Sequence, residues 1–318
     1  MATIPHHYMM AAKTNPALKS GDLIDIVAPG SAADKLMIDA AVDAILSKGF
    51  KVRLPQGLQG VHPFNANEDE VRFDFLKKAL KANDSKMVWC VRGGYGSNRL
   101  VPELLKMSKP KTPKIVVGYS DICTLHLLLN HHWKWKSLHG PLLENFGAKK
   151  LDPSQWDEFW NVLQGKVTES HFSLKPLNAR ALQKKKIKAA VTGGNLCTLQ
   201  SAIGTKLKTN FDNEIVVFED VGERGYRVDR MLEHFRQAGS FKKTKAIVFG
   251  EFVGGAEKDG QSYVTFALER FANLMNIPVL SRLEIGHGAH NRPLFFNTVS
   301  TLELGESPRL IVNSGFKK

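Results

Sequence analysis

Apolar positions along the first half of the chain fall into short runs separated by amphipathic stretches. Leu23 to Val27 is a short, mainly apolar run that reads as a strand and ends in Ala28-Pro29-Gly30. Leu36, Ile38, Ala41, Ala44 and Ile45 then follow a helical pattern with Gly49 as a stop, and Val52 to Leu54 reads as the next strand. The same order returns as helix over Phe73 to Leu80, strand over Met87 to Val91, helix over Asn98 to Leu105, strand over Ile115 to Val117 and helix over Ile122 to Leu129. Strands that alternate with helices in this way build parallel sheets covered by those helices. The pattern predicts an α/β fold whose N-terminal part is a Rossmann-like, mostly parallel sheet with helices on both faces.

Between Leu151 and Leu182 the pattern loosens. Trp156 and Trp160 stand one helical turn apart and read as packing residues. Beyond them, Ala189 to Val191, Ile215 to Phe218, Ala246 to Phe249 and Pro278 to Leu280 read as strands, with a helix from about Arg227 through Phe235 to Gly239. The expected organisation is an N-terminal domain over residues 1–150, a connecting segment over 151–183 and a smaller C-terminal α/β domain over 184–318.

Composition narrows the class. At 318 residues and 43% hydrophobic, the chain can bury a substantial core and is most simply two domains. No apolar run approaches the ~18 to 20 residues that span a bilayer. Met1 to Ser20 lacks a continuous apolar segment, so neither a membrane helix nor a complete signal peptide is expected. Lys and Arg number 44 against 31 Asp and Glu, a net charge of +13. The densest clusters, Lys184-Lys185-Lys186 with Lys188 and Lys242-Lys243 with Lys245, lack interleaved aromatics. They read as solvated faces rather than a nucleic-acid stripe, although a basic surface attracts anionic substrates. Cys90, Cys123 and Cys197 form neither a disulfide framework nor a zinc pattern, which points to a reducing compartment. His131 and His132 are adjacent and no H-E-x-x-H occurs, so no metal is expected.

Four separated features carry candidate chemistry. Gly118-Tyr119-Ser120-Asp121 puts a hydroxyl on a sharp turn between a predicted strand and a predicted helix, where free backbone N–H groups face any negative charge that forms nearby. The same residues also fit an ordinary helix N-cap, and Ile122 occupies the last glycine position of a G-x-S-x-G motif. Arg92-Gly93-Gly94-Tyr95-Gly96 follows another strand, where its glycines either make a plain turn or expose backbone N–H groups to a reacting group. Glu219 directly follows the run Ile215 to Phe218, and His287 lies between Gly286 and Gly288. A serine hydroxyl needs an imidazole to take its proton and a carboxylate to hold that imidazole, so these residues together supply the parts of nucleophilic hydrolysis.

With these residues assembled, the chain resembles the LD-carboxypeptidases, the serine peptidase family that includes murein tetrapeptide carboxypeptidase and the microcin C self-immunity protein. The likeness runs through Gly21-Asp22-Leu23-Ile24 with Ala28-Pro29, Arg92 to Gly96, Gly118 to Asp121, His139-Gly140-Pro141, Gly193-Gly194-Asn195-Leu196, Glu219-Asp220-Val221 with Tyr226 and Asp229-Arg230, and Gly286-His287-Gly288. The resemblance implies Ser120 as nucleophile, His287 as general base and then acid, Glu219 as the orienting carboxylate, and the backbone N–H groups of Gly94 and Asp121 as oxyanion hole. It implies hydrolysis of the bond between meso-diaminopimelate and the terminal D-alanine of murein tetrapeptides, without a cofactor, by a cytoplasmic homodimer acting on a small muropeptide. An exported protein follows instead if a signal segment has been removed. Arg92 and Arg227 are candidates for the substrate's terminal carboxylate. Two alternatives stay open: a hydrolase of peptidyl or aminoacyl nucleotides, and a non-catalytic muropeptide-binding protein. Cys123 stands where the family more often has threonine, and reads as a packed thiol.

Overall fold

The structure is a computed structural model that describes residues 17–316. The expectation drawn from Met1 to Ser20 falls largely on residues 1–16 and lies outside the described residues. The first half runs β1 (Leu23–Val27), α1 (Lys35–Ser47), β2 (Lys51–Arg53), α2 (Asp69–Lys81), β3 (Ser85–Cys90), α3 (Ser97–Lys106), β4 (Ile115–Gly118), α4 (Cys123–Leu127), β5 (Ser137–His139) and α5 (Leu143–Gly147). The segment expected to connect the halves carries α6 (Pro153–Leu163), β6 (Glu169–Ser173) and β7 (Lys175–Pro176). The remainder runs β8 (Lys186–Asn195), α7 (Leu196–Gln200), β9 (Glu214–Val221), α8 (Gly225–Gln237), β10 (Ala246–Val253), α9 (Val264–Leu274), β11 (Val279–Ser281), β12 (Leu294–Phe296), β13 (Val299–Glu303) and β14 (Arg309–Asn313).

The fold is α/β, with two sheets. The first has the order β12-β5-β4-β3-β1-β2. Its five N-terminal strands pair in parallel, as their helical crossovers require. Every residue of β4 and nearly every residue of β1 and β3 is buried, which is why those strands read as apolar runs rather than alternating ones. The sixth strand comes from the other half of the chain: β12 pairs antiparallel with β5, setting Leu294 opposite His139. Eight strands make the second sheet, in the order β6-β14-β13-β8-β9-β10-β11-β7. It has more strands than the first because the connecting segment contributes two of them.

Local signals place α6. Asp152 accepts from the Ser154 N–H at 2.8 Å, and Pro153 begins the helix, where a missing N–H costs nothing. Trp156, Phe159 and Trp160 are buried against the first sheet, with Trp89 and Phe159 ring centroids 5.2 Å apart and Phe146 and Trp156 4.7 Å apart. The tryptophans are core, as their spacing suggested. The polar face of α6 reaches the other way. The Gln155 amide donates to the Ala289 carbonyl and its oxygen accepts from the Asn291 N–H, each at 3.0 Å. Arg292 pairs with Glu158 at 2.7 Å and lies over the Phe172 ring. The loop that carries His287 is therefore braced by a helix packed on the opposite sheet. Among the described residues no helix is long and apolar enough to cross a membrane.

Candidate active site

The serine sits on a strained corner. β4 delivers the chain to Gly118, Tyr119 is extended with φ −149°, and Ser120 then adopts φ 64°. For a side chain other than glycine this left-handed conformation costs about 1–2 kcal/mol and persists only where the surroundings impose it. The helix expected over Ile122 to Leu129 is divided. A 3₁₀ turn spans Ser120–Ile122, α4 follows, and a wider π turn covers Leu128–His132. The N-cap alternative is not what forms, since no side chain caps this turn and Ser120 belongs to the turn itself. Asp121 instead points its buried carboxylate at α3, accepting from the Ser97 N–H at 2.8 Å.

Gly93 and Gly94 explain why that corner needs bare backbone. A Cβ on Gly93 would lie 2.9 Å from the Ser120 Cβ and 3.1 Å from its Oγ. Gly94 has φ 74°, and a Cβ there would fall 2.3 Å from the Ser31 Oγ. The Gly93 carbonyl accepts from the Ser31 N–H at 2.8 Å, which ties the glycine turn to the end of β1. The backbone of this loop thus passes against the serine.

Glu219 lies within β9 rather than after it, because β9 runs to Val221 and pairs Glu219 with Asn195 of β8. Its side chain is fully buried. His287 follows Gly286, whose φ of 131° turns the loop back over β9. The two meet: His287 Nδ1 lies 2.6 Å from Glu219 Oε2. A carboxylate only accepts, so Nδ1 carries the proton and Nε2 keeps its lone pair. Burial alone lowers the imidazole pKa, but the hydrogen bond it donates to Glu219 and the charges of Glu219 and Asp220 outweigh it and leave His287 above its ordinary value. Its ring lies 4.6 Å, centroid to centroid, from that of Tyr119, the residue before Ser120. Serine corner, imidazole and carboxylate therefore occupy one region between the two sheets.

Other groups fix the carboxylate's strand. Asp220 accepts from the Asn195 side-chain amide at 3.1 Å and from the Cys197 N–H at 2.9 Å, joining β9 to the start of α7. Burial, then the neighbouring Glu219 charge, pushes its carboxyl up to about 6. Cys123 is buried, as expected of a packed thiol, and its Sγ accepts from the Asn195 N–H at 3.2 Å. The two arginine candidates already hold partners. Arg92 lies 3.7 Å from Glu144 and donates to the Ala32 carbonyl, while Arg227 lies 2.6 Å from Glu223.

Among the described residues one group could hold a metal ion: Cys123, His139 and Glu219 place a ligand atom each within 4.8 Å of one another, all buried. The fit is poor. Glu219 already serves His287, and burial together with the Glu219 charge pushes the Cys123 thiol well above its usual range, so it is held as thiol rather than as the thiolate a metal needs. His139 was visible in sequence only as part of His139-Gly140-Pro141, and its place behind the carboxylate depends on strand pairing.

Comparison with known proteins covers most of the chain. The family models of the LD-carboxypeptidase N-terminal and C-terminal domains match residues 24–140 and 188–302. The chain belongs to the LD-carboxypeptidase family. It is 36% identical over 290 residues to a Rickettsia conorii protein named as a carboxypeptidase, covering 91% of this chain and 90% of that one. It is 27% identical to the murein tetrapeptide carboxypeptidase of Pseudomonas aeruginosa over 88% of this chain and 92% of that one. Among solved structures, the muramoyltetrapeptide carboxypeptidase from Oxalobacter formigenes superposes with a TM-score of 0.78 at 25% identity, covering 92% of this chain and 98% of that one. The microcin C7 self-immunity protein, solved with aspartyl sulfamoyl adenosine, has a TM-score of 0.79 at 18% identity over 96% of this chain and 99% of that one. That likeness is one of fold.

Proposed function

We propose that this LD-carboxypeptidase family member is a serine carboxypeptidase that removes the terminal D-alanine from murein tetrapeptides, cutting after meso-diaminopimelate and leaving the tripeptide. The observation that carries the reading is the 2.6 Å bond from His287 to the fully buried Glu219, next to a serine at φ 64°. In this reading Ser120 Oγ attacks the scissile carbonyl while His287 Nε2 takes its proton. The developing oxyanion accepts from the Gly94 and Asp121 N–H groups, each such donor contributing about 3 kcal/mol to the transition state. His287 returns the proton to the amine of the departing D-alanine, and a water activated in the same way releases the tripeptide. Arg92 and Arg227 are the proposed cations for the terminal carboxylate, each after exchanging its present carboxylate partner. The nucleophile comes from residues 1–150 and its two partners from 184–318. The substrate follows the murein peptide relatives, and the family likeness extends the proposal to a cytoplasmic homodimer.

The test is release of D-alanine from murein tetrapeptide, with an aminoacyl sulfamoyl adenosine assayed in parallel. Release by the wild type, lost in Ser120→Ala, is the expected result. Cleavage of the nucleotide without release of D-alanine overturns the substrate assignment. Tetrapeptide binding without any turnover overturns the enzymatic one.

A further inference from the structure

Behind the His287–Glu219 pair the structure leaves three buried polar atoms without partners. Both ring nitrogens of His139 lack one, and so does Glu219 Oε1, the oxygen that His287 does not use. Both side chains are fully buried, where an unpaired imidazole and half of an unpaired carboxylate are each costly. The nearer His139 nitrogen, a Glu219 oxygen and Cys123 Sγ fall within 4.8 Å of one another. Strand pairing explains their meeting. β5 sets His139 beside Gly118, two residues before the serine, while β12 holds it from the other side through Leu294.

We propose that His139 is a positioning residue for the reaction: one ring N–H donates to Glu219 Oε1, so that two imidazoles grip one buried carboxylate. The proposal rests on the hydrolase reading above and deepens it. A hydrogen bond of this kind spans about 2.9 Å, so a shift on the order of 2 Å brings the nearer His139 nitrogen into bonding range of the Glu219 carboxylate. The donor is neutral. Burial, reinforced by the neighbouring His126 and His287, holds His139 well below its usual pKa, so it brings a proton to the carboxylate without adding a charge. A neutral imidazole has one N–H and one lone pair, so it can give this bond while staying uncharged. One rearrangement thus gives Glu219 Oε1 and a His139 ring nitrogen, two of the three unpaired atoms, a partner. Its effect falls on catalysis because Glu219 must keep its carboxylate plane aimed along the His287 Nδ1–H while the serine proton arrives at Nε2.

The experiment compares wild type with His139→Leu and His139→Gln, the second keeping an N–H donor of similar reach. Expected for His139→Leu is a fall of about 10- to 100-fold in kcat for D-alanine release, the range for one hydrogen bond to a charged group, with KM within about twofold. His139→Gln should recover to within about fivefold of wild type on the same estimate. In proton NMR, the low-field His287 Nδ1–H resonance should move in His139→Leu and return towards its wild-type position in His139→Gln. An unmoved resonance overturns the proposal, as do kcat values for His139→Leu within twofold of wild type, or equal losses in two variants that both melt as the wild type does. The NMR signal reports the His287–Glu219 pair whatever the substrate, so absent D-alanine release sinks the substrate assignment while the resonance still decides the role of His139.

Discussion

Gly93→Ala is a small perturbation with a large expected effect, because the added methyl has one place to go. Its Cβ would stand 2.9 Å from the Ser120 Cβ, 3.1 Å from Oγ and 3.3 Å from the Tyr119 carbonyl, whereas ordinary contacts begin near 3.4 Å. The serine has to retreat by about half an ångström or more, or the glycine loop has to move away with the Gly94 N–H. Ser120 has little freedom to yield, since its φ of 64° is held by β4 on one side and the following turn on the other. Misplacement of a reacting group by about 1 Å costs on the order of 10²-fold in rate, so kcat for D-alanine release should fall ~30- to 100-fold. Overpacking costs about 1–3 kcal/mol of stability, a fall of roughly 1.5–4.5 °C in Tm for a chain of this size. A coupled D-amino-acid oxidase assay reads kcat, and the labelling rate of Ser120 by a fluorophosphonate reads the nucleophile without any peptide. Rates within about threefold of wild type in both measurements would refute the claim that this glycine is required by the serine.

Two further outcomes follow from the His287–Glu219 pair. Glu219→Gln offers the imidazole an amide that can stabilise the wrong tautomer, so kcat should fall by roughly 10⁴-fold, while the fold survives the loss of a buried charge; steady-state kinetics showing more than a tenth of the wild-type rate would contradict the role given to Glu219. Because His287 must be neutral to accept the serine proton and its pKa lies above the ordinary value, kcat/KM should fall with decreasing pH through a midpoint above ~6.5, and a profile flat from pH 8 to about 5.5 would exclude His287 as the base. The sign for stability is opposite: a raised histidine pKa favours the folded state below the unfolded value and loses that contribution as pH rises through the folded one.

Most of the first sheet was readable because its strands are buried on both faces and its helices carry their own stops. The serine corner was readable as a corner, though not as a strained one, since left-handed backbone at a non-glycine residue leaves no compositional trace. Helix α9 has no counterpart among the elements expected from sequence, although Val264, Ala267, Leu268, Phe271 and Ala272 are buried at plain helical spacing. The hairpin of β13 and β14 has none either, despite its alternating burial on either side of Gly305. These two signals were present in the pattern. Glu219 reads as lying just beyond its strand because apolarity stops at Phe218, whereas pairing with β8 carries the strand through Glu219 and pairing with β10 carries it to Val221.

The amino-acid sequence by itself determined the α/β class, the serine between strand and helix, and the chemical types of its partners, because each is written in residues close together along the chain. Only the tertiary structure decided which groups touch. The antiparallel docking of β12 on β5, the bracing of the His287 loop by Gln155 and the cluster of His139, Cys123 and Glu219 all join residues far apart in sequence. Such contacts depend on strand order and register across two sheets, and no local pattern of polar and apolar residues encodes that register, so it appears only once the whole chain has packed.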